Sequence, residues 1–337
     1  MTGDKLDMNK ETISIKRIAE LADTSVATVS RVINQNGRFS KETEERVRKI
    51  IDEYGYRPNA LAKGLRQDKT KLIGVMIPDI THSFFSRVYR AIELELYQNG
   101  YLSILCDTNE SEELEMSYME QLKDMRFSGL IYMNGNQYNA KIDCPATIYL
   151  DRYPACPQPE DSYYFIGSDN FRSGFLAAET LIKAGRTNLS MITIERQLVT
   201  QRLRQEGFFT YIKEHGSTSV KLHILNVDRG DYGLGYEITN MLLSQHSDSD
   251  GIYYTSDILA YGGIQCMRDH GIRIPQDIAI VGMDDLPLSQ TFNLTTVRQD
   301  TDALGRLAAR SVIDLIDNKP VKKHQIVPVS LVKRGTV

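Results

Sequence analysis

Three side chains in this sequence have the chemistry and the placement to recognise another molecule. Arg31 lies on a short helical pattern, 26–34, that follows Ser25, and a guanidinium projecting from such a helix can grip guanine O6 and N7 with two parallel hydrogen bonds. Asp151 and Asp284 each close an apolar, strand-like run, where a carboxylate can accept two hydrogen bonds from a polyhydroxylated ligand. Two carboxylates in one cleft could also hydrolyse a glycoside. Against an enzyme, the chain lacks Gly-x-Ser-x-Gly, Gly-x-x-x-x-Gly-Lys-[Ser/Thr], and a Gly-x-Gly-x-x-Gly after its first strand; Gly233-Leu-Gly235 has none of the remainder. The six histidines, including His82, show no metal-ligand spacing, so neither a metal nor a cofactor is expected.

The elements that must hold Arg31 can be read from apolar periodicity. Residues 13–22 place Ile15, Ile18, Ala19 and Ala22 on one helical stripe, and Asp23-Thr-Ser25 interrupts it. Ser25 is placed as N-cap of a second helix, 26–34, in which Val29, Val32 and Ile33 turn inward while Ala27, Thr28, Ser30, Arg31 and Asn34 turn out. A third helix, 40–54, starts at Ser40, carries Glu42, Glu44 and Glu45 in its first turn and Val47, Ile50, Ile51 and Tyr54 as an apolar ladder, and ends at Gly55. Two short helices joined by a three-residue turn form a helix-turn-helix, and the third closes a small core that leaves the second free to enter a major groove.

Charge divides the chain at the same place. The 337 residues carry a net charge of −4, which taken whole argues against a nucleic-acid partner. Residues 1–71 hold 15 Lys and Arg against 11 Asp and Glu, a net of +4, leaving 25 against 33, a net of −8, for the rest. A small basic module is thus joined to a larger acidic one. No apolar run is long enough to span a bilayer and the first residues have no apolar signal core, so a cytoplasmic protein is expected. Cys106, Cys144, Cys156 and Cys266 are widely separated, with no Cys-x-x-Cys among them, and are expected to be reduced thiols.

In the acidic module, strand-like runs at 72–77, 101–106, 129–133, 147–150, 189–194, 220–225, 251–254 and 279–282 alternate with amphipathic helices at 84–98, 112–126, 171–184, 202–214, 232–243 and 258–270. That alternation predicts parallel α/β sheets, too many strands for one small sheet and hence two lobes, with ligand beyond the carboxyl ends of the strands.

The run Ser25-Val-Ala-Thr-Val-Ser-Arg-Val-Ile-Asn34 and the segment Tyr56-x-Pro-Asn-x-x-Ala-x-x-Leu65 closely resemble the DNA-binding headpiece and hinge of the lac repressor/galactose repressor family. The resemblance continues through Ile77-Pro-Asp-Ile-x-x-x-Phe-Phe85, Leu150-Asp-Arg152, Ser168-Asp-Asn170, Arg202-x-Arg-x-x-Gly207, Thr255-Ser-Asp257, Val281-Gly-Met-Asp-Asp285 and Leu294-Thr-Thr-Val-x-Gln-Asp300. It implies an all-α helix-turn-helix headpiece at 13–57, a hinge helix and linker at 58–71, and an α/β two-lobed periplasmic-binding-protein-like domain with parallel sheets at 72–337. By that resemblance Val26, Ala27 and Arg31 read base edges, Ser25, Thr28, Ser30 and Asn34 meet phosphates, and Asn59, Ala62, Leu65 and Arg66 act in the minor groove, with Leu65 as the wedge that kinks the DNA. The chemistry agrees for Arg31, for the apolar Val26 and Ala27 against a thymine methyl, and for Leu65 between base steps.

In the two-lobed domain the resemblance assigns the ligand arginine to Arg204, cleft aromatics to Phe85, Phe165 and Tyr232, and amide-bearing positions to Ser256 and Gln299, beside Asp151 and Asp284. Ser256 stands where the family usually has Asn. Phe85 and Phe165 have a competing reading as core aromatics, Arg152 and Asp285 as capping or lobe-bridging groups, and Arg202 and Arg204 can exchange structural and ligand roles. The function implied is a dimeric repressor of a sugar-utilisation operon on a pseudo-palindromic operator, controlled by a sugar or sugar phosphate. A solute-binding protein would have a signal sequence and no headpiece. A regulator answering to a phosphorylated carrier protein as corepressor is the alternative within the family.

Overall fold

The structure, a computed structural model, describes residues 13–56, 70–133, 144, 146–152, 162–194, 198–216 and 220–337. The chain divides into two compact units, Met1–Thr70 and Lys71–Val337. The hinge residues Asn59, Ala62, Leu65 and Arg66 lie outside the described residues.

In the first unit, α1 (Ile15–Leu21), α2 (Val26–Asn34) and α3 (Lys41–Tyr54) each begin at a serine whose hydroxyl accepts a backbone N–H of the first turn: Ser14 from Arg17, Ser25 from Thr28 and Ser40 from Thr43. Ile18, Ala19, Ala22, Val29, Val32 and Val47 form the core. The expected ladder of α3 departs from the fold at its last rung. Tyr54 is exposed, and Tyr56 packs on the core instead. Gly55 ends the helix in the left-handed region at φ 61°, and the Tyr56 N–H donates to the Ile51 carbonyl, a reversal that turns the chain and brings Tyr56 back over the helix.

The second unit holds two sheets. The first has the order β11 (His324–Val327), β5 (Tyr164–Ser168), β4 (Thr147–Leu150), β3 (Gly129–Tyr132), β1 (Leu72–Ile77), β2 (Leu102–Asp107), all paired in parallel. Alternation along β1 sorts its side chains: Ile73, Val75 and Ile77 join α4 (Ser83–Gln98) and α11 (Thr301–Ile316) on one face, while Met76 joins Leu122 of α5 (Glu112–Asp124) on the other. The second sheet runs β12 (Ser330–Val332), β10 (Thr296–Arg298), β9 (Ala279–Asp284), β8 (Gly251–Tyr254), β6 (Asn188–Ile194), β7 (Lys221–Val227), parallel except for β12. It is flanked by α6 (Asn170–Lys183) and α7 (Val199–His215) on one face and by α8 (Tyr232–Gln245) and α9 (Asp257–Asp269) on the other; the short α10 (Leu288–Thr291) follows β9.

The chain crosses between lobes after β5, after β10 and after β11, and the Asp169 N–H donates to the Val327 carbonyl at 3.0 Å between two of these crossings. The sequence reading missed β5, α10, α11 and β10 to β12. The last three strands are three or four residues long and are completed by partners far away in the chain, such as Thr296 on Val332, which local periodicity does not register.

Candidate DNA-reading helix and ligand cleft

All seven described residues expected to meet DNA lie on α2 or its cap. Ala27, Arg31, Asn34 and Ser25 are exposed; Val26, Thr28 and Ser30 are half-buried, and Val26 leans on the headpiece core. Two pairs are already hydrogen-bonded within the helix, Ser25 Oγ with Thr28 Oγ1 at 2.9 Å and Asn34 Nδ2 donating to the Ser30 carbonyl at 2.7 Å. Gly37, at φ +90°, lies against the Arg31 stem, so a side chain there would both strain the turn and press on the arginine.

A cleft of about 520 Å³ opens between the two lobes, beyond the carboxyl ends of the strands. It gathers six of the eight expected ligand residues: Phe85, Asp151, Arg204, Ser256, Asp284 and Gln299. Asp151 follows β4 at φ 64° and Asp284 ends β9 at φ 110°, conformations that bend the chain sharply where the carboxylates meet the cleft. Arg204 reaches in from α7, its Nε donating to Asn170 Oδ1 at 2.8 Å and its Nη1 to the Thr255 carbonyl at 2.8 Å. The arginine is set by close helix contact: a Cβ on Gly174 of α6 would overlap the Arg204 carbonyl, and one on Gly207 would overlap the Phe171 carbonyl. Arg202 is exposed and pairs loosely with Glu206, which assigns the two arginines their separate places.

Phe165 and Tyr232 are not among the cleft-lining residues. Phe165 is a fully buried mid-strand residue of β5, packed over Gly167 and edge-on to His324 of the neighbouring strand. Tyr232 is exposed at the first position of α8, while the preceding Asp231 caps that helix through the Leu234 N–H and lines the cleft. Arg152 donates to Glu110 at 3.3 Å and sits 5.4 Å from the Phe85 ring centre. Asp285 is a bridge: it accepts from Arg298 at 2.7 Å and Arg334 at 2.6 Å, and its carbonyl accepts from Arg87 of the first lobe at 3.1 Å.

The cleft also contains residues that sequence reasoning passed over: Asp79, Asn109, Glu110, Thr200, Gln201, Asp228, Arg229, Asp231 and Thr255. A signal for several was present, because Asp79, Asn109 and Asp228 lie one or two residues beyond β1, β2 and β7, where this class of fold binds ligands. One more overlooked residue, outside the cleft lining, positions the site from beneath. Buried Asp257 accepts from the Leu286 N–H at 2.9 Å and from Ser289 and Thr296 hydroxyls, tying the loop after Asp284 to β10 and α9.

Burial governs the titration of the site. It pushes Asp284 up to about 7 despite the opposing pull of Arg204, and Asp257 up to about 6 despite its three hydrogen bonds. Asp151 is raised by burial against the opposing pull of Arg204 and Arg152. Burial also lowers His82 to about 4; its Nδ1 accepts the Phe84 N–H at 3.2 Å, which leaves the neutral ring protonated at Nε2. Among the described residues no group of three or more His, Cys, Asp and Glu is arranged to hold a metal ion, and no helix is long and apolar enough to cross a membrane.

A helix-turn-helix unit followed by a two-lobed α/β unit with an interlobe cleft defines a class of DNA-binding regulators that carry a periplasmic-binding-protein-like domain. Residues 14–59 match the family described as bacterial regulatory proteins, lacI family, and residues 178–337 match the periplasmic binding protein-like domain. The ribose operon repressor of Halalkalibacterium halodurans is 33% identical over 331 residues, covering 96% of each chain. The chain belongs to the lacI family and is a DNA-binding transcriptional repressor, not an enzyme. Among solved structures, the lac repressor dimer bound to operator and the anti-inducer ONPF superposes with a TM-score of 0.84 at 26% identity, covering 97% of this chain and 99% of that one. A LacI family regulator from Enterococcus faecium with bound ribose superposes at 0.70 with 27% identity, covering 79% and 98%.

Proposed function

We propose that this repressor controls a sugar-utilisation operon and is released from its operator by a sugar bound in the interlobe cleft. The observation that carries this reading is a set of buried cleft oxygens with no hydrogen-bond partner among the described residues: Asp151 Oδ1, Thr255 Oγ1 and Gln299 Oε1. Unpaired buried acceptors cost about 1–3 kcal/mol each, and a ligand carrying several hydroxyls satisfies them together. The bound ribose in the Enterococcus faecium regulator and the name of the Halalkalibacterium halodurans relative support the same ligand class.

On this reading two chains pair so that their α2 helices meet the half-sites of a pseudo-palindromic operator, while the hinge segments, with Leu65 as wedge, order together in the minor groove. Sugar draws the lobes together through Asp151 on one side and Asp284 with Gln299 on the other. That movement separates the first lobes of the dimer and disfavours the ordered hinge. A coupling of about 1–3 kcal/mol gives roughly 5–150-fold release, and operator weakens sugar binding by the same factor.

The test is a thermal-shift screen of the full chain against pentoses, hexoses, disaccharides and their phosphates, followed by operator titration with and without the best binder. A sugar at 100 times its Kd stabilises by about 2.7 kcal/mol. Absence of any stabilising sugar, or a stabilising sugar that leaves operator affinity unchanged, refutes the proposal.

A further inference from the structure

We propose that the effector is an unphosphorylated sugar and that the cleft is built to reject the corresponding phosphate esters. This rests on the sugar reading above and sharpens it. Six carboxyl groups line the cleft, Asp79, Glu110, Asp151, Asp228, Asp231 and Asp284, against three guanidinium groups, Arg152, Arg204 and Arg229, and even with Asp284 raised to about 7, and so only partly charged at neutral pH, acids outnumber cations. The two buried arginines each already hold protein partners. Arg204 donates to Asn170 Oδ1 and to the Thr255 carbonyl, and Arg152 donates to Glu110 while lying on the Phe85 ring. Arg229 is exposed and is flanked by Asp228 and Asp231.

A phosphate monoester brings a charge of about −1.5 to −2 and needs strong donors around it. The cleft offers more carboxyl groups than cations. His82 lines it as a neutral ring whose Nδ1 is taken by the Phe84 N–H, so it presents one uncharged donor and no cation. Helix N-termini are the other usual source of phosphate donors. Here α4 gives one first-turn N–H to His82 and α8 gives one to Asp231, while α7 and α9 begin without a side-chain cap. The unpartnered carboxyl oxygen of Asp151 and amide oxygen of Gln299 suit a neutral molecule that presents hydroxyl protons, and they face a dianion unfavourably in a medium where charges are poorly screened.

Paired calorimetric titrations of the full chain at neutral pH and physiological salt test this: D-ribose with D-ribose 5-phosphate, D-fructose with D-fructose 6-phosphate, and D-glucose with D-glucose 6-phosphate. The expected result is that at least one parent sugar binds and its ester binds about tenfold or more weakly. An ester that binds as tightly as its parent, for example by reaching the uncapped end of α7, overturns the inference and leaves the sugar reading standing. Failure of every pair here, together with no stabilising sugar in the wider panel above, defeats the sugar reading itself. Asp228→Asn removes one negative charge from the cleft rim, and it should narrow the ratio of parent to ester affinity several-fold whatever it does to the parent sugar alone; an unchanged ratio overturns charge as its cause.

Discussion

Gln299 Nε2 donates to Asp284 Oδ1 at 2.7 Å, joining the carboxylate at the end of β9 to the segment where the chain leaves the second lobe for the first. A ligand that engages Asp284 therefore acts on a crossing strand as well as on a pocket wall. The neighbouring Asp285 extends the link, since its carbonyl holds Arg87 of the first lobe.

Replacing Asp284 by Ala is expected to abolish the response to sugar and leave operator binding by the free protein intact. The change removes the acceptor for Gln299 and for two ligand hydroxyls in a fully buried setting, a loss of about 1–3 kcal/mol or more. Calorimetry reads sugar affinity and anisotropy reads operator affinity; unaltered sugar affinity would show that the carboxylate is structural.

The same carboxylate makes stability depend on pH. Its folded pKa is raised to about 7 from an ordinary 3.8, so its contribution is fully present below about pH 4 and is lost as pH rises through 7. Asp257, raised to about 6, acts with the same sign. His82, lowered to about 4 from 6.5, acts with the opposite sign, its contribution present above 6.5 and lost as pH falls through 4. The difference isolates Asp284: relative to Asp284→Asn, the ligand-free protein should lose a few kcal/mol between pH 4 and 8, each pKa unit being worth about 1.4 kcal/mol. Denaturant melts of the two proteins at several pH values give this difference, and a pH-independent gap contradicts it.

Gly207→Ala should destabilise the chain by about 1–3 kcal/mol or more, because the new methyl would overlap the Phe171 carbonyl and force α6 and α7 apart. Arg204 rides on α7, so the fraction that remains folded should also bind sugar less tightly. A variant with the melting temperature and sugar affinity of the parent would contradict the close packing.

Arg31→Ala should weaken operator binding by about 1–3 kcal/mol and relax preference at one guanine, while binding to unrelated DNA changes little. Anisotropy titrations against an in-vitro-selected operator and single-base variants measure both effects. A uniform loss on every sequence would reassign Arg31 to phosphate.

The headpiece could be read almost whole from its sequence, since serine caps, apolar stripes and Gly55 are local signals and its three helices are neighbours in the chain. Tyr54 is the exception, turned outward by a reversal that periodicity extends straight through. In the larger unit the strand ends Asp151 and Asp284 were legible for a similar reason: a carboxylate closing an apolar run has a place in any parallel α/β sheet. Phe165 and Tyr232 were not, because whether an aromatic meets the cleft, the core or solvent depends on strand register and on the helix position it occupies.

The sequence by itself determined the basic and acidic modules through composition, and the reading helix with Arg31 outward and the alternation that builds parallel sheets through spacing over a few residues. Tertiary structure alone decided that Arg204 and not Arg202 reaches the cleft, that Asp257 braces the loop after Asp284, and that six carboxyl groups surround the cleft against three arginines. Those residues come from loops and helices spread between 79 and 284, and only the folding of both lobes around the crossing strands brings their charges within reach of one another.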